Sequence, residues 1–419
     1  MDERLVIRGG KPLMGSLVAS GSKNAALYAI AAALLTADPV TLRNAPAIAD
    51  VGEMLDLLTA LGAIVDGSDE DEIYIQVPEI TTHRAPDKHV VATRASFLVM
   101  GPLLGRDGEA SCAPPGGDVI GVRPLDVHLE GFRALGADVS RDGAAWVAKS
   151  PKLTGARIFF DYPSVLGTVN LIFAAALADG ETTLVNAAAE PEVQMICEML
   201  ISMGAQISGH GSNTITIEGV ERLHGTDFTI IPDRIETGTF LLAGVATVGD
   251  VTVEHSAPLH LDSLLTKLRE AGVDVSTTED SIRVCCTDLE GLKAVQLQAV
   301  PYPGYATDLH APIAAMLTQV HGVSIIHERV FENRLLYVGE LRSMGAHITV
   351  GGQSVMIEGP TPLFGTNVRA LDVRAGAATF IAGLAADGET SIRDIIHIDR
   401  GYAHLVERLQ SLGADVERT

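Results

Sequence analysis

Cations and carboxylates recur where this chain turns into apolar helices. SGSKNAAL (Ser20–Leu27) leads from a glycine-containing turn into a long Ala-rich segment. Lys23 and Asn24 would stand at that helix's N-terminus, where free N–H groups and the helix dipole favour an anion. The alternative is that Ser22 simply caps the helix and Lys23 points into water. Arg94 heads the apolar segment TRASFLVMG, and PDRIETGTF holds Asp233, Arg234 and Glu236 before another. Both are more often structural ion pairs than ligands. YATDLHAP places Asp308 at a helix mouth, an N-cap by default. FENRLL, LDVRAGAATF and HIDRGY contribute Arg334, Arg374 and Arg400 at similar helix starts.

CAPPGGDVIGVRPLDVHL (Cys112–Leu129) carries a second constellation. Pro114, Pro115, Gly116, Gly117 and Gly121 exclude regular structure. They set Asp118 between flexible residues, followed by Arg123, Asp126 and His128. Such a stretch is a solvated surface loop in one reading; in the other it is a lid or binding loop, the usual role of long loops in compact domains.

The charge balance gives these cations weight. With 30 Lys and Arg against 53 Asp and Glu, the net charge is −23. A body so acidic repels phosphate backbones, which excludes nucleic acid as a partner. An anionic small substrate would need a local Lys/Arg cluster to invert the potential. Cations recurring at one structural position are what a polyanion site between two related domains requires.

Other chemistries lack support. The 13 histidines show no HExxH spacing and the four cysteines no zinc spacing, so no metal is expected. Walker A, strand-bound GxGxxG and GxSxG sequences are missing, so no cofactor is expected either. Cys112, Cys197, Cys285 and Cys286 read as reduced thiols of a cytoplasmic protein. The opening MDERLVIRGG does not read as a signal peptide. Apolar stretches such as Ala25–Leu35 fall short of the roughly 20 residues of a membrane span. A soluble protein without membrane insertion is expected.

The elements that must position these residues are repeated. LGAIV at Leu61, LGADV at Leu135, MGAQI at Met203, AGVDV at Ala271, MGAHI at Met344 and LGADV at Leu412 are one phrase in six copies. Each follows a segment with apolar residues at i, i+3 and i+4, which predicts a helix ended by a left-handed glycine. An alternating strand follows, as in SNTITIEGV. Upstream lies a second helix–turn–strand phrase, clear in ALADGETTLVNAA and GLAADGETSIRDI. The unit is roughly 70 residues, longer than helical solenoid repeats of about 20–50. At 419 residues the chain exceeds one comfortable core. Two pseudo-symmetric α/β domains of three units each are expected, with cores of Ala, Val, Leu and Ile because aromatics make up only 4%.

Together, SGSKNAAL, RAS, PPGGDVIGVRPLDVHL, PDRIETGTF, TDLHAP, VFENR and HIDRGY resemble the UDP-N-acetylglucosamine enolpyruvyl transferases (1-carboxyvinyltransferases) of peptidoglycan synthesis. The resemblance runs in order along essentially the whole chain. It implies an α/β fold, the two-domain inside-out α/β barrel built from six βαβαββ repeats. One domain would be discontinuous, residues 1–22 plus 231–419; residues 23–230 would form the other and carry a 112–124 lid loop.

The resemblance also implies the reaction: transfer of the enolpyruvyl group of phosphoenolpyruvate to the 3-hydroxyl of UDP-N-acetylglucosamine, releasing phosphate. Cell wall biogenesis, cell shape and cell division would depend on it. Lys23, Arg123 and Arg400 match the residues that hold phosphoenolpyruvate, with Asn24 and Arg374 beside the phosphate. Asn24, Arg94, Arg123, Pro124, Leu125, Asp126, Val127, Ser164, Val165, Asp308 and Val330 match the nucleotide-sugar contacts. Asp308 matches the proposed general base, and Lys23, Asp118, Asp308 and Arg400 form the implied catalytic set. Clustered cations suit a tetrahedral intermediate bearing both phosphate and carboxylate.

Asp118 stands where the family usually carries Cys, and a minority carries Asp. Carboxylates are poorer nucleophiles than thiolates, so the epoxide antibiotic fosfomycin, which alkylates that Cys, is expected to fail. Tyr162, Leu98 and Ala189 stand where many members have Lys, Trp and Arg. Two other readings compete with this one. The shikimate-pathway enolpyruvyl transferase shares the fold, but its SKS-type start and GNAGT-like stretch are missing. The second is a non-catalytic UDP-sugar-binding paralogue regulating wall synthesis.

Overall fold

The computed structural model describes residues 3–67 and 72–419. All six repeated phrases end a helix. Those helices are Ala49–Ala60, Asp126–Ala134, Pro191–Ser202, Asp262–Ala271, Tyr337–Ser343 and Leu405–Ser411. The glycines that follow have positive φ: Gly62 114°, Gly136 91°, Gly204 100°, Gly272 96°, Gly345 106° and Gly413 90°. Only glycine enters that region without a Cβ penalty, which is why the phrase is invariant there. A strand leaves each glycine, for example Asp138–Asp142 or His347–Gly351.

The second helix of most repeats is buried nearly all round. Every residue of Arg234–Ala246 after Arg234 is buried, as are nine of the ten in Lys23–Ala32. A helix without a polar face belongs in a core.

Among the described residues the strands form six small sheets. One repeat shows the plan. Arg157–Phe159 lies parallel to Glu181–Val185, in the register Leu184↔Ile158, with the buried helix Val165–Ala175 as the crossover. Glu181–Val185 then pairs antiparallel with Thr214–Glu218, which pairs with Gln206–Ser208. The sheet of Glu109–Cys112, Ala145–Lys149 and Asp138–Asp142 has three strands, and its missing fourth survives as a parallel bridge between Arg84 and Ser111. The chain's beginning completes its end: Leu5–Arg8 lies between Glu389–Arg393 and Asp415–Arg418.

The chain divides into two compact units. One comprises the N-terminal segment through Ser20, Val119–Val122 and Pro232–Thr419; the other comprises Gly21–Asp118 and Arg123–Ile231. In the first unit, the three buried helices Arg234–Ala246, His310–Leu317 and Val373–Ala385 pack on one another. Its Val119–Val122 segment is tied by two backbone amides. Val122 donates to Glu332 at 2.8 Å, and Asn333 donates to the Ile120 carbonyl at 3.0 Å. In the second unit, Met100–Asp107 packs on Val165–Ala175, and Lys23–Ala32 packs on Ala49–Ala60 and Pro191–Ser202. Residues 113–125 have neither helix nor strand.

Candidate active site

The Lys23 helix starts as its sequence dictates, with the Ser22 hydroxyl accepting from the Ala25 amide at 3.4 Å. Lys23 itself does not point into water. It is 7% exposed, and its Nζ lies 2.7 Å from Asp50 Oδ2, a carboxylate just 3% exposed. A buried ammonium paired this tightly is held in one place, which suits a group that must meet an anion. Asn24 beside it is half-buried. Asp50 escaped the sequence reading, yet a signal was present: it falls four residues before Met54 and seven before Leu57, on the buried face of Ala49–Ala60.

The Gly-rich segment brings Arg94 and Arg123 together. A Cβ on Gly116 would stand 1.9 Å from the Val91 carbonyl oxygen, so this position must be glycine. A Cβ on Gly117 would lie 3.1 Å from the Arg94 amide and 3.5 Å from Arg123 Nη2. Arg123 adopts φ 41°, uncommon for a non-glycine residue, and its guanidinium donates to the Asp118 carbonyl. Burial and then the neighbouring Arg123 push the Arg94 guanidinium down to about 10, against a smaller opposing pull from Tyr162. Two arginines that repel each other in a partly buried loop make a place where an anion is welcome. The Asp118 side chain is half-buried in the same loop.

Pro124 and Leu125 lead into Asp126–Ala134, where Asp126 Oδ1 accepts from the Val127 amide at 2.8 Å and from the Tyr162 hydroxyl at 2.7 Å. Burial and this bond push the Tyr162 hydroxyl above its ordinary range. Ser164 caps Val165–Ala175, accepting from the Gly167 amide at 3.2 Å. A Cβ on Gly167 would meet Val127 Cγ1 at 2.6 Å and Ser164 Oγ at 2.9 Å, so Val127, Ser164 and Val165 are neighbours. Leu98 is fully buried and Ala189 half-buried. His128 proves to be structural. Its Nδ1 accepts from Asn170 Nδ2 at 2.9 Å, Asn170 also donates to the Phe97 carbonyl, and burial then Arg94 push the ring down to about 3.

Asp308 is not the N-cap that its position suggests. It sits in the short turn Thr307–Leu309 before His310–Leu317, and that turn shows no side-chain cap. One carboxylate oxygen accepts from Arg334, and the other accepts from Arg374 Nε at 3.0 Å and Nη2 at 2.8 Å. Arg334 and Arg374 are 3% and 5% exposed. Burial works to raise the Asp308 carboxyl, but the two guanidiniums outweigh it and hold it well below the usual carboxylate range. Burial lowers Arg374 and Asp308 raises it further, so it remains fully charged.

Asp372 fixes the start of the Arg374 helix by accepting from the Arg374 and Ala375 amides at 2.7 and 2.8 Å. Tyr402 lies 3.5 Å from Arg374 Nη1. Arg400 is half-buried at the end of the turn Ile396–Asp399, and a Cβ on the following Gly401 would lie 3.8 Å from Arg374 Nη1. Val330 donates its amide to Glu328 at 2.7 Å. Glu236 pairs with Arg408 at 2.7 Å, the structural ion pair that the sequence favours, whereas Asp233 caps its helix.

The chain matches the EPSP synthase (3-phosphoshikimate 1-carboxyvinyltransferase) family over residues 7–409. It is 48% identical to a UDP-N-acetylglucosamine 1-carboxyvinyltransferase 2 of Carboxydothermus hydrogenoformans, with 99% of each chain covered. The chain belongs to the UDP-N-acetylglucosamine 1-carboxyvinyltransferase family. Another member, from Caldanaerobacter subterraneus subsp. tengcongensis, is 45% identical over 100% of both chains. The enolpyruvyl transferase NikO from Streptomyces tendae superposes with a TM-score of 0.89 at 27% identity, covering 100% of this chain and 99% of that one. The six small mixed sheets are thus those of the enolpyruvyl transferase fold. Among the described residues of this 1-carboxyvinyltransferase family member, no helix is long and apolar enough to cross a membrane, and no group of three His, Cys, Asp or Glu could hold a metal ion.

Proposed function

We propose that this chain transfers the enolpyruvyl group of phosphoenolpyruvate to the 3-hydroxyl of UDP-N-acetylglucosamine, the first committed step of peptidoglycan precursor synthesis. The observation that carries the reading is full-length identity of 48% and 45% to relatives bearing that activity in their names. The geometry supports it: of the residues matching the family's anion contacts, Lys23 and Arg374 are buried and paired with Asp50 and Asp308, and Arg123 is half-buried and tied to the Asp118 carbonyl.

The chemistry then follows from the side chains. Lys23, Asn24, Arg123, Arg374 and Arg400 bind the phosphate and carboxylate of phosphoenolpyruvate. Arg94, Asn24, the Arg123–Val127 run, Ser164, Val165 and Val330 bind the nucleotide sugar, with the Tyr162 hydroxyl orienting Asp126. In the addition step the sugar oxygen bonds to C2 of phosphoenolpyruvate. Asp308 accepts the hydroxyl proton, and Asp118 delivers a proton to C3. The tetrahedral intermediate carries phosphate and carboxylate on one carbon, and the cations stabilise that charge. Elimination removes a proton from C3 and expels phosphate, restoring the double bond. Its two arginines keep Asp308 ionised and so able to accept a proton, while making it a weaker base than an ordinary carboxylate.

Asp118 in the place of a thiol makes the enzyme insensitive to fosfomycin, because no thiolate is there to open the epoxide. All four cysteines are free thiols, and burial pushes Cys112 and Cys197 up to about 12, away from reactive thiolate. This agrees with a reducing cytoplasm. Phosphate release from phosphoenolpyruvate that depends on UDP-N-acetylglucosamine tests the proposal; release without the sugar, or none with it, contradicts it.

A further inference from the structure

Beneath Asp308 lies a carboxylate that none of these roles employs. Glu328 ends the strand Gly322–Glu328 and is 1% exposed. Its Oε2 accepts from the Thr307 hydroxyl at 2.8 Å and stands 2.9 Å from His310 Nδ1. Its Oε1 accepts from the Val330 amide at 2.7 Å and the Phe331 amide at 3.1 Å. Four donors fill the roughly four lone-pair positions of one ionised carboxylate. Because a carboxylate only accepts, His310 must carry its proton on Nδ1. Burial keeps that ring neutral although Glu328 pulls the other way.

The four donors come from two segments, and each segment presents a proposed sugar contact. Thr307 and His310 flank Asp308; Val330 and Phe331 begin the stretch that runs on to Arg334, which grips Asp308 and also donates from Nε to the Thr307 carbonyl at 3.3 Å. We infer that Glu328 is a positioning residue for nucleotide-sugar binding and hydroxyl activation, a single carboxylate that holds the Asp308 turn and the Val330 backbone at a fixed separation. Glutamate suits this position and glutamine does not. The amide offers one acceptor oxygen in place of two, and its NH2 would face donors already there. The inference rests on the function proposed above.

The test is steady-state kinetics of Glu328→Gln with each substrate varied separately. Misplacing a reacting group by about 1 Å costs on the order of 100-fold. The expected result is a KM for UDP-N-acetylglucosamine raised about tenfold with a lowered kcat, while the KM for phosphoenolpyruvate changes less than twofold. Thr307→Val removes one donor and leaves the carboxylate, so it should shift the same two constants by a smaller factor and keeps the test alive if the glutamine variant does not fold. Unchanged constants in a folded variant, or equal changes for both substrates, overturn the positioning role. Turnover by the unmodified enzyme separates the two ideas: with it present, these results judge Glu328 alone, whereas its absence overturns the proposed function and this inference together.

Discussion

Asp308→Asn perturbs both stability and chemistry, and the structure gives a size for each. The carboxylate faces two guanidiniums that are 3% and 5% exposed, with Arg374 donating at 2.8 and 3.0 Å. An amide leaves both cations without their counter-charge, and breaking a buried pair this way costs about 3–5 kcal/mol. A quarter of the Asp308 side chain is exposed. Solvent screening therefore sets the loss at about 3 kcal/mol, the lower end of that range. With a urea m-value of about 2 kcal/mol/M, the midpoint should fall by roughly 1.5 M. The pH dependence has a definite sign. Asp308 is depressed in the folded state, so its contribution is complete above the unfolded value of about 3.9 and is lost only as pH falls below it. Urea unfolding of both proteins from pH 8 to pH 4 should show a constant gap down to about pH 5 that narrows only near pH 4. Turnover should fall by about 10²–10⁴ across the neutral range, the scale of a lost general base. A gap under about 1 kcal/mol at pH 7, or one that closes between pH 7 and 5, would refute the double-arginine clamp.

Other substitutions separate binding from support. Lys23→Ala should cost about 2–4 kcal/mol of transition-state stabilisation. It should also destabilise the fold, because Asp50 stays buried without its ammonium; adding Asp50→Asn should restore the urea midpoint but not the turnover, and a Lys23→Ala midpoint equal to the parent's counts against the pair. Asp118→Cys should stay active and become sensitive to fosfomycin, whereas Asp118→Asn should be nearly inactive; rapid covalent inactivation of the unmodified protein, followed by mass spectrometry, contradicts this. Tyr162→Phe removes one hydrogen bond to a carboxylate, worth about 1.5–3 kcal/mol, and should raise the KM for UDP-N-acetylglucosamine while leaving that for phosphoenolpyruvate in place.

The repeat architecture was legible because a residue type enforces it. Each helix ends where a glycine takes positive φ, and six such glycines at regular spacing reveal six units before any contact is known. The helix starts carrying Lys23, Arg94, Asp308 and Arg374 were legible from the polar-to-apolar switch in the sequence, whereas Arg400, expected at a helix start, instead follows the end of the turn Ile396–Asp399. Their partners were not. Periodicity shows which face of a helix is buried but not what meets it, and Asp308 and Arg374 stand 66 residues apart. Hence Asp308 read as a cap although it is a clamped carboxylate, and Lys23 could be drawn toward solvent although Asp50 buries it. His128 stood among chemically suggestive neighbours in the loop, yet Asn170, 42 residues on, makes it a structural tie. Glu328 sat at the end of an alternating strand and gave no sign of the four donors that converge on it.

Phosphate released from phosphoenolpyruvate should be measured for the purified protein with UDP-N-acetylglucosamine, with shikimate 3-phosphate and with neither, and the nucleotide product should be weighed by mass spectrometry. Release is expected only with UDP-N-acetylglucosamine, matched one for one by the enolpyruvyl ether of the sugar. Release with shikimate 3-phosphate, or binding of the nucleotide sugar without any phosphate formed, would contradict it.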